Sequence, residues 1–191
     1  MLGFVVLVAL EHPLRPDLPA TRHFVSEYAS GSTDAIARAA FLLWGVGIAA
    51  LAVGLWRARA RITALLVGVA AAGTPLAAAF ATVTVGGELP VGGTYTTGGR
   101  LHDLGASMLF FGLLLAAAAS LRPLRRRGYR CGVAGLAACL LLAPAVLVAL
   151  GRDWPGIGQR AFILVGCGWL LLAAAETGRL TTRARRTPAP G

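Results

Sequence analysis

Long apolar blocks separated by short arginine tracts are the feature that most constrains the fold of this chain. Five blocks are suited to crossing a bilayer as helices, namely Ala35–Trp56, Ala64–Val85, Leu101–Leu121, Val133–Leu150 and, slightly short, Ala161–Glu176. A hydrocarbon core of ~30 Å needs roughly 20 residues of helix. The chain is 57% hydrophobic and 14% charged, whereas soluble domains are about 25% charged. The pattern therefore predicts an all-α, polytopic integral membrane helix bundle.

The first apolar segment, Met1–Leu10, is too short to cross a bilayer. Ten helical residues cover about 15 Å, or half of the hydrocarbon core. We expect a first helix that is short or truncated, and we favour a start upstream of Met1 over a genuine half-helix. Counting it gives six transmembrane helices in one domain of residues 1–178. Residues 179–191 are expected to form a basic, disordered cytoplasmic tail.

The arginines are distributed unequally between the loops of this bundle. All 18 basic residues are arginine, and twelve of them follow the second, fourth and sixth segments. Seven of the eight acids and all three histidines fall on the other side. Because cytoplasmic loops carry the excess of arginine, we expect the basic loops and the C-terminus to be cytoplasmic. Abundant Ala, Gly and Arg without lysine is typical of a high-GC bacterial genome, which indicates a bacterial inner membrane.

Polar stretches on the side opposite the basic loops are the only places where specific binding or chemistry is expected. Gly99–Leu104 places a histidine and two opposite charges where a glycine-rich loop enters the fourth helix. The linker from Glu11 to Asp34 contains three prolines, which argue against a continuous helix in its first half. Its second half, Arg22–Tyr28, could form a short amphipathic turn on the membrane surface. Ser32, Thr33 and Asp34 are N-cap candidates for the next helix.

Four short motifs give the chain a resemblance to a known family. They are Leu14-Arg15-Pro16-Asp17 with His23-Phe24-Val25-Ser26-Glu27-Tyr28, then Gly99-Arg100-Leu101-His102-Asp103-Leu104, then Gly156-Ile157-Gly158-Gln159-Arg160, and Trp169 in the last helix. The pattern resembles the bacterial and archaeal membrane proteins with the domain of unknown function 998. The resemblance implies six helices and no established biochemical role. The chain departs from the family in its third loop, where it carries Gly87-Glu88-Leu89-Pro90.

Eight residues on the predicted outer face are candidates for binding a lipid headgroup or another ligand. They are His23, Ser26, Glu27, Arg100, His102, Asp103, Gln159 and Arg160. His23 and Glu27 are four apart and share a face if that stretch is helical. The preferred interpretation is that these groups hydrogen-bond one another and tie the first outer loop to the fourth helix. Arg160–Asp103 or Arg100–Glu27 pairs would serve the same purpose.

A metal site is an alternative interpretation of the same face. His23, Glu27, His102 and Asp103 offer two imidazoles and two carboxylates, which are ligands that Zn²⁺ accepts. A bound zinc ion would activate water for hydrolysis of a lipid ester or amide at the membrane surface. The spacing contains no HExxH motif, so whether the protein is an enzyme stays open, with the balance against it.

Arg160 has a second interpretation of its own. Its guanidinium could grip a lipid phosphate with two hydrogen bonds. The plainer alternative is an interfacial anchor beside Trp154, because aromatic and basic residues gather at the membrane boundary. The membrane interior has almost no ionisable groups, which disfavours a small permease. Glycines such as Gly45, Gly47, Gly54, Gly166 and Gly168 are expected at close helix contacts.

The sequence thus predicts a multi-pass inner-membrane protein whose polar outer face binds a lipid headgroup, a small ligand or a membrane-protein partner. A nucleic-acid partner is not expected despite the net charge of +10. The arginines do not form the basic surface with interleaved aromatic residues that such binding uses.

Overall fold

The computed structural model describes residues 1–86, 88–122, 124, 129–136, 138 and 154–186, with side chains as far as residue 182. Five α-helices have described bounds: α1 Leu2–Leu14, α2 Asp34–Arg57, α3 Arg61–Ala79, α4 Thr97–Ser120 and α5 Pro155–Arg186. A 3₁₀ helix, Val25–Ala29, lies between α1 and α2, and residues 129–136 are also helical.

The helices confirm the prediction of an all-α membrane bundle. The helices α2, α3, α4 and α5 are each long and apolar enough to cross a bilayer. The first helix has 13 residues and is the short one that the sequence predicts. The predicted span Val133–Leu150 falls mostly outside the described residues, as do Pro144 and Asp153.

Three predicted helix boundaries are wrong. The helix α3 ends at Ala79 rather than Val85, because the β-branched run Thr82–Val85 favours extended backbone over helix. The helix α5 extends from Pro155 to Arg186, since proline at the first helical position is already set to helical φ. The helix α1 continues through Pro13 into the predicted linker.

The helices α3 and α4 pack backbone against backbone through glycines. A Cβ added to Gly105 would lie 2.6 Å from the Ala77 nitrogen and 2.7 Å from the Gly73 oxygen. A Cβ added to Gly112 would lie 3.0 Å from the Cβ of Ala70. Only glycine permits such an approach, which increases the dispersion contacts that hold helices together in lipid. The contacts at Gly73, Gly105 and Gly112 were not among those predicted from the sequence.

Close contact is found at some of the glycines for which it was predicted. Gly45 lies directly against the Thr74 side chain, which confirms its role. At Gly168 a Cβ would meet no described atom within 4 Å, so the described residues leave this prediction untested. At Gly166 the nearest such atom, in Leu136, is 4.0 Å away. Both residues lie on parts of α5 that do not approach another described helix closely.

Thr74 also repairs the hydrogen bond that Pro75 removes from the middle of α3. Pro75 has no N–H, so the carbonyl of Ala71 loses its usual partner four residues later. The Thr74 hydroxyl donates to that Ala71 oxygen at 2.7 Å. The proline is therefore accommodated within the membrane without an unsatisfied carbonyl.

A buried polar cluster links α4, the 129–136 helix and α5. The Trp169 indole donates to the Tyr129 hydroxyl at 3.0 Å. The Tyr129 hydroxyl donates to Ser120, and the Ser120 hydroxyl donates to the Ala117 carbonyl at 2.5 Å. Trp169 of the last sequence motif thus has a structural role, because the side-chain polar groups of Trp169, Tyr129 and Ser120 all have hydrogen-bond partners.

Candidate functional site at the loop end of the bundle

One end of the bundle gathers the polar motifs, and we call it the loop end. It consists of residues 15–33, 80–86, 88–96 and 154–160, which lie where α2 and α5 begin and α3 ends. Three hydrogen bonds join its parts. The Gly86 amide donates to Glu27 at 2.8 Å, the Val25 amide donates to Gln159 at 2.6 Å, and the Gly156 amide donates to the Thr21 carbonyl at 3.0 Å.

The 3₁₀ helix Val25–Ala29 is buried within the loop end. The short turn predicted in this stretch is therefore present, but it lacks the exposed polar face of an amphipathic turn. The predicted pairing of His23 with Glu27 does form, at 2.5 Å between Nδ1 and Oε2. The Oε1 atom of Glu27 accepts from the amides of Phe24 and Gly86. Both carboxylate oxygens are thus occupied by protein donors, and the predicted Arg100–Glu27 pair is not formed.

Arg160 holds the first loop onto the start of α5. Its Nη1 donates to the carbonyls of Ala20 and His23, at 2.7 Å each, and to that of Gly156 at 3.1 Å. The other two guanidinium nitrogens reach the Tyr28 hydroxyl and His12 Nε2, each at 3.3 Å.

These bonds show what Arg160 contacts. The predicted Arg160–Asp103 pair is not formed, because the guanidinium bonds to the first loop and α1. Each of its three nitrogens already donates to a protein group. Arg160 acts as a structural clasp, which ties the loop to α5 instead of to α4 as the sequence suggested.

Gly156 makes this clasp sterically feasible. A Cβ on Gly156 would lie against the carbonyl oxygens of Ala20 and His23 and 2.8 Å from Arg160 Nη1. The two carbonyls and the guanidinium therefore fill the space that any side chain would need. This explains why a glycine opens the Gly156–Arg160 motif.

His102 caps the end of α3. Its Nδ1 lies 2.9 Å from the Ala77 oxygen and 2.8 Å from the Phe80 oxygen. Carbonyls in the last turn of a helix have no hydrogen-bond partner within the helix. Since a carbonyl can only accept a hydrogen bond, Nδ1 carries a proton and donates. Nε2 is an acceptor when the ring carries only that one proton. Arg38 assists by donating to the Ala79 oxygen at 3.3 Å.

The four residues of the zinc interpretation are not gathered into one cluster. His23 and Glu27 contact each other, whereas His102 is bonded to α3 and Asp103 accepts from the Tyr95 hydroxyl at 2.7 Å. Among the residues with described positions, no group of three His, Cys, Asp or Glu could hold a metal ion. Arg100 is exposed at the start of α4.

A cavity between α4 and α5 opens at the loop end, and we call it the α4–α5 groove. Its volume is about 380 Å³, within the range of ligand pockets. Its aromatic wall consists of Phe24, Phe110, Phe111 and Phe162, and its polar lining consists of Ser26, Thr82, Thr84, His102, Asp103 and Gln159. The groove is thus amphipathic.

Two of the candidate binding residues line the groove with polar groups that have no hydrogen-bond partner among the described residues. Ser26 is 8% exposed, and its hydroxyl has no hydrogen-bond partner among the described residues. Gln159 accepts from Val25 through Oε1, while its Nε2 donors have no partner in the same part of the chain. Sequence reasoning missed the aromatic wall, in which Phe110 and Phe162 meet edge to face at 4.7 Å. The adjacent phenylalanines in α4 were the available signal.

The model of one family, described as a protein of unknown function (DUF998), matches residues 1–176. No curated protein and no solved structure matches the chain. The motifs behind the resemblance coincide with the contacts described above, including His23–Glu27, the Arg160 clasp and the Trp169 cluster. Since the match covers nearly all of the 191 residues, the chain belongs to the DUF998 family, whose function is unknown.

Proposed function

We propose that the protein binds a membrane lipid in the α4–α5 groove, with the acyl chain on the aromatic wall and the headgroup at the loop end. The observation that carries this proposal is the Ser26 hydroxyl, which lines the groove and has no hydrogen-bond partner among the described residues. The rest of the 3₁₀ helix around it is buried. A ligand oxygen in the groove could accept a hydrogen bond from this hydroxyl.

The amphipathic lining favours a lipid over a small polar ligand. Phe110, Phe111 and Phe162 offer apolar surface at the depth of the membrane, and Ser26 and Gln159 offer donors at its edge. Burial of apolar area contributes roughly 25 cal/mol per Å², which a hydrocarbon chain can exploit and a polar solute cannot. Ligand pockets commonly combine an apolar wall with a few placed polar groups.

The clasp supports binding because it holds the walls of the groove in place. Gln159 and Pro155 of α5 line the groove on one side, and Phe24 and Ser26 of the first loop line it on another. Arg160 and the Gln159–Val25 bond fix the first loop to α5. A preformed site loses less conformational entropy when a ligand binds.

We also propose that the loop end faces the outer side of a bacterial inner membrane, with the C-terminus in the cytoplasm. The arginine tracts after α2 and in the tail lie at the opposite end of the helices. Such tracts are retained on the cytoplasmic side. The groove would then draw its lipid from the outer leaflet.

Filling the groove tests the lipid proposal. Ala106 lines the groove, whereas the adjacent Ser107 on the same helix is exposed and does not line it. After extraction from a bilayer, native mass spectrometry should show bound lipid on the wild-type protein. Ala106→Trp should abolish this lipid binding. Ser107→Trp, the matched control, should retain it. Equal retention by both variants, with unchanged thermal stability, would refute the proposal.

A further inference from the structure

We infer that the lipid in the α4–α5 groove carries a primary amine in its headgroup and that Asp103 binds this amine. The inference rests on the proposed function and names the class of lipid. Asp103 is the one charged side chain among the described residues that line the groove. Its Oδ2 accepts from the Tyr95 hydroxyl at 2.7 Å, and its Oδ1 has no partner in the described part of the chain.

No arginine lies among the described residues that line the groove with Asp103. Arg160 follows the groove-lining Gln159 on α5, but its three nitrogens donate to backbone carbonyls, Tyr28 and His12. Arg38 is held by Asp34 and the end of α3. Arg100 is exposed and does not line the groove. A headgroup with net negative charge would therefore meet an uncompensated carboxylate, whereas an ammonium would meet its natural partner.

His102 adds a second acceptor beside Asp103. Its Nδ1 donates to the carbonyls of Ala77 and Phe80, and Nε2 is an acceptor when the ring carries only that one proton. A primary ammonium brings three donors and can bond to both residues. A quaternary ammonium has no N–H and could use neither hydrogen bond. The acceptors therefore distinguish a primary amine from a choline-type headgroup.

The remaining polar groups complement the phosphate of the same headgroup. The Ser26 hydroxyl and the Gln159 amide are donors without partners among the described residues. Phosphate oxygens are acceptors, and donors of this kind bind them without a formal charge. An aminophospholipid such as phosphatidylethanolamine thus matches the acceptors of α4 and the donors of the first loop and α5.

The test uses the full chain in nanodiscs containing equal amounts of palmitoyl-oleoyl phosphatidylethanolamine, phosphatidylglycerol and phosphatidylcholine. Native mass spectrometry after release should show phosphatidylethanolamine retained at least about tenfold over the others, the factor expected for a charge-assisted hydrogen bond. Asp103→Asn should remove this preference. Asp34→Asn, which changes an exposed carboxylate outside the groove, should leave it unchanged.

The outcomes separate this inference from the proposed function. If Ala106→Trp removes bound lipid but wild type shows no preference for phosphatidylethanolamine, or Asp103→Asn keeps that preference, the amine assignment is wrong and lipid binding stands. If Ala106→Trp does not reduce the amount of any bound lipid, both the proposed lipid binding and the amine assignment are wrong. Soluble phosphoethanolamine should not compete at a matched concentration. Displacement of the lipid by it would show that the headgroup alone is the ligand and would overturn the lipid assignment.

Discussion

Replacing Gly156 with alanine should detach the first loop from α5 and destabilise the loop end. The new Cβ would lie against the carbonyl oxygens of Ala20 and His23 and 2.8 Å from Arg160 Nη1. Two of these atoms are backbone and cannot rotate away. The third, Arg160 Nη1, is the end of a side chain, but hydrogen bonds to those same two carbonyls hold it in place.

The expected loss of stability follows from opposing effects. Glycine to alanine within a helix normally stabilises by up to about 1 kcal/mol. Overpacking costs about 1–3 kcal/mol. Each hydrogen bond from a charged group that is lost costs roughly 1.5–3 kcal/mol. With one Arg160 bond lost, these contributions sum to a net decrease of about 1.5–5 kcal/mol in the free energy of unfolding.

Gly178→Ala is the matched control, because a Cβ at that position of the same helix meets no described atom within 4 Å. Unfolding in detergent should be followed by circular dichroism. The free energy of unfolding should be clearly lower than wild type for Gly156→Ala and equal to or slightly higher than wild type for Gly178→Ala. Equal stability of the two alanine variants would refute the clasp and the reasoning from the glycine contact.

Four further predictions follow from the same contacts. His102→Ala should lower the free energy of unfolding by about 1–3 kcal/mol, measured by the same denaturation, because it leaves carbonyls of α3 unpaired. Glu11→Met should raise the melting temperature, because the Glu11 carboxylate is buried without a partner among the described residues. Ser26→Ala should reduce lipid retention in native mass spectrometry while leaving the melting temperature unchanged. In a background without other cysteines, Val91→Cys should react with a membrane-impermeant maleimide on intact cells, whereas Cys131 should react only after permeabilisation.

Features set by chain-wide hydropathy were predictable from the sequence. Whether a segment crosses the membrane depends on its own hydropathy and flanking arginines, without reference to the other segments. The bounds of α2 and α4 could therefore be predicted to within a few residues. The end of α3 was missed, although the β-branched run Thr82–Val85 contained the signal. The extent of α5 was missed because a polar helical end continues beyond its apolar part.

The candidate site was predictable in composition but not in its connections. The local pair His23–Glu27 follows from a spacing of four residues and was found. Two partners of Arg160 are the backbone carbonyls of Ala20 and His23, more than a hundred residues away, and a carbonyl is present at every position of a sequence, so it gives no signal. The groove arises from how α4 and α5 pack, so its aromatic wall could not be inferred from either helix alone.

The most direct test of lipid binding at the α4–α5 groove is photocrosslinking with a phosphatidylethanolamine that carries a diazirine in its acyl chain. Peptide mapping should place the label on Phe110, Phe111 and Phe162, with little on exposed positions of other helices such as Leu43 and Leu65. Unlabelled lipid should compete at the groove positions alone. Uniform labelling of all exposed apolar residues, without competition, would contradict the proposed site.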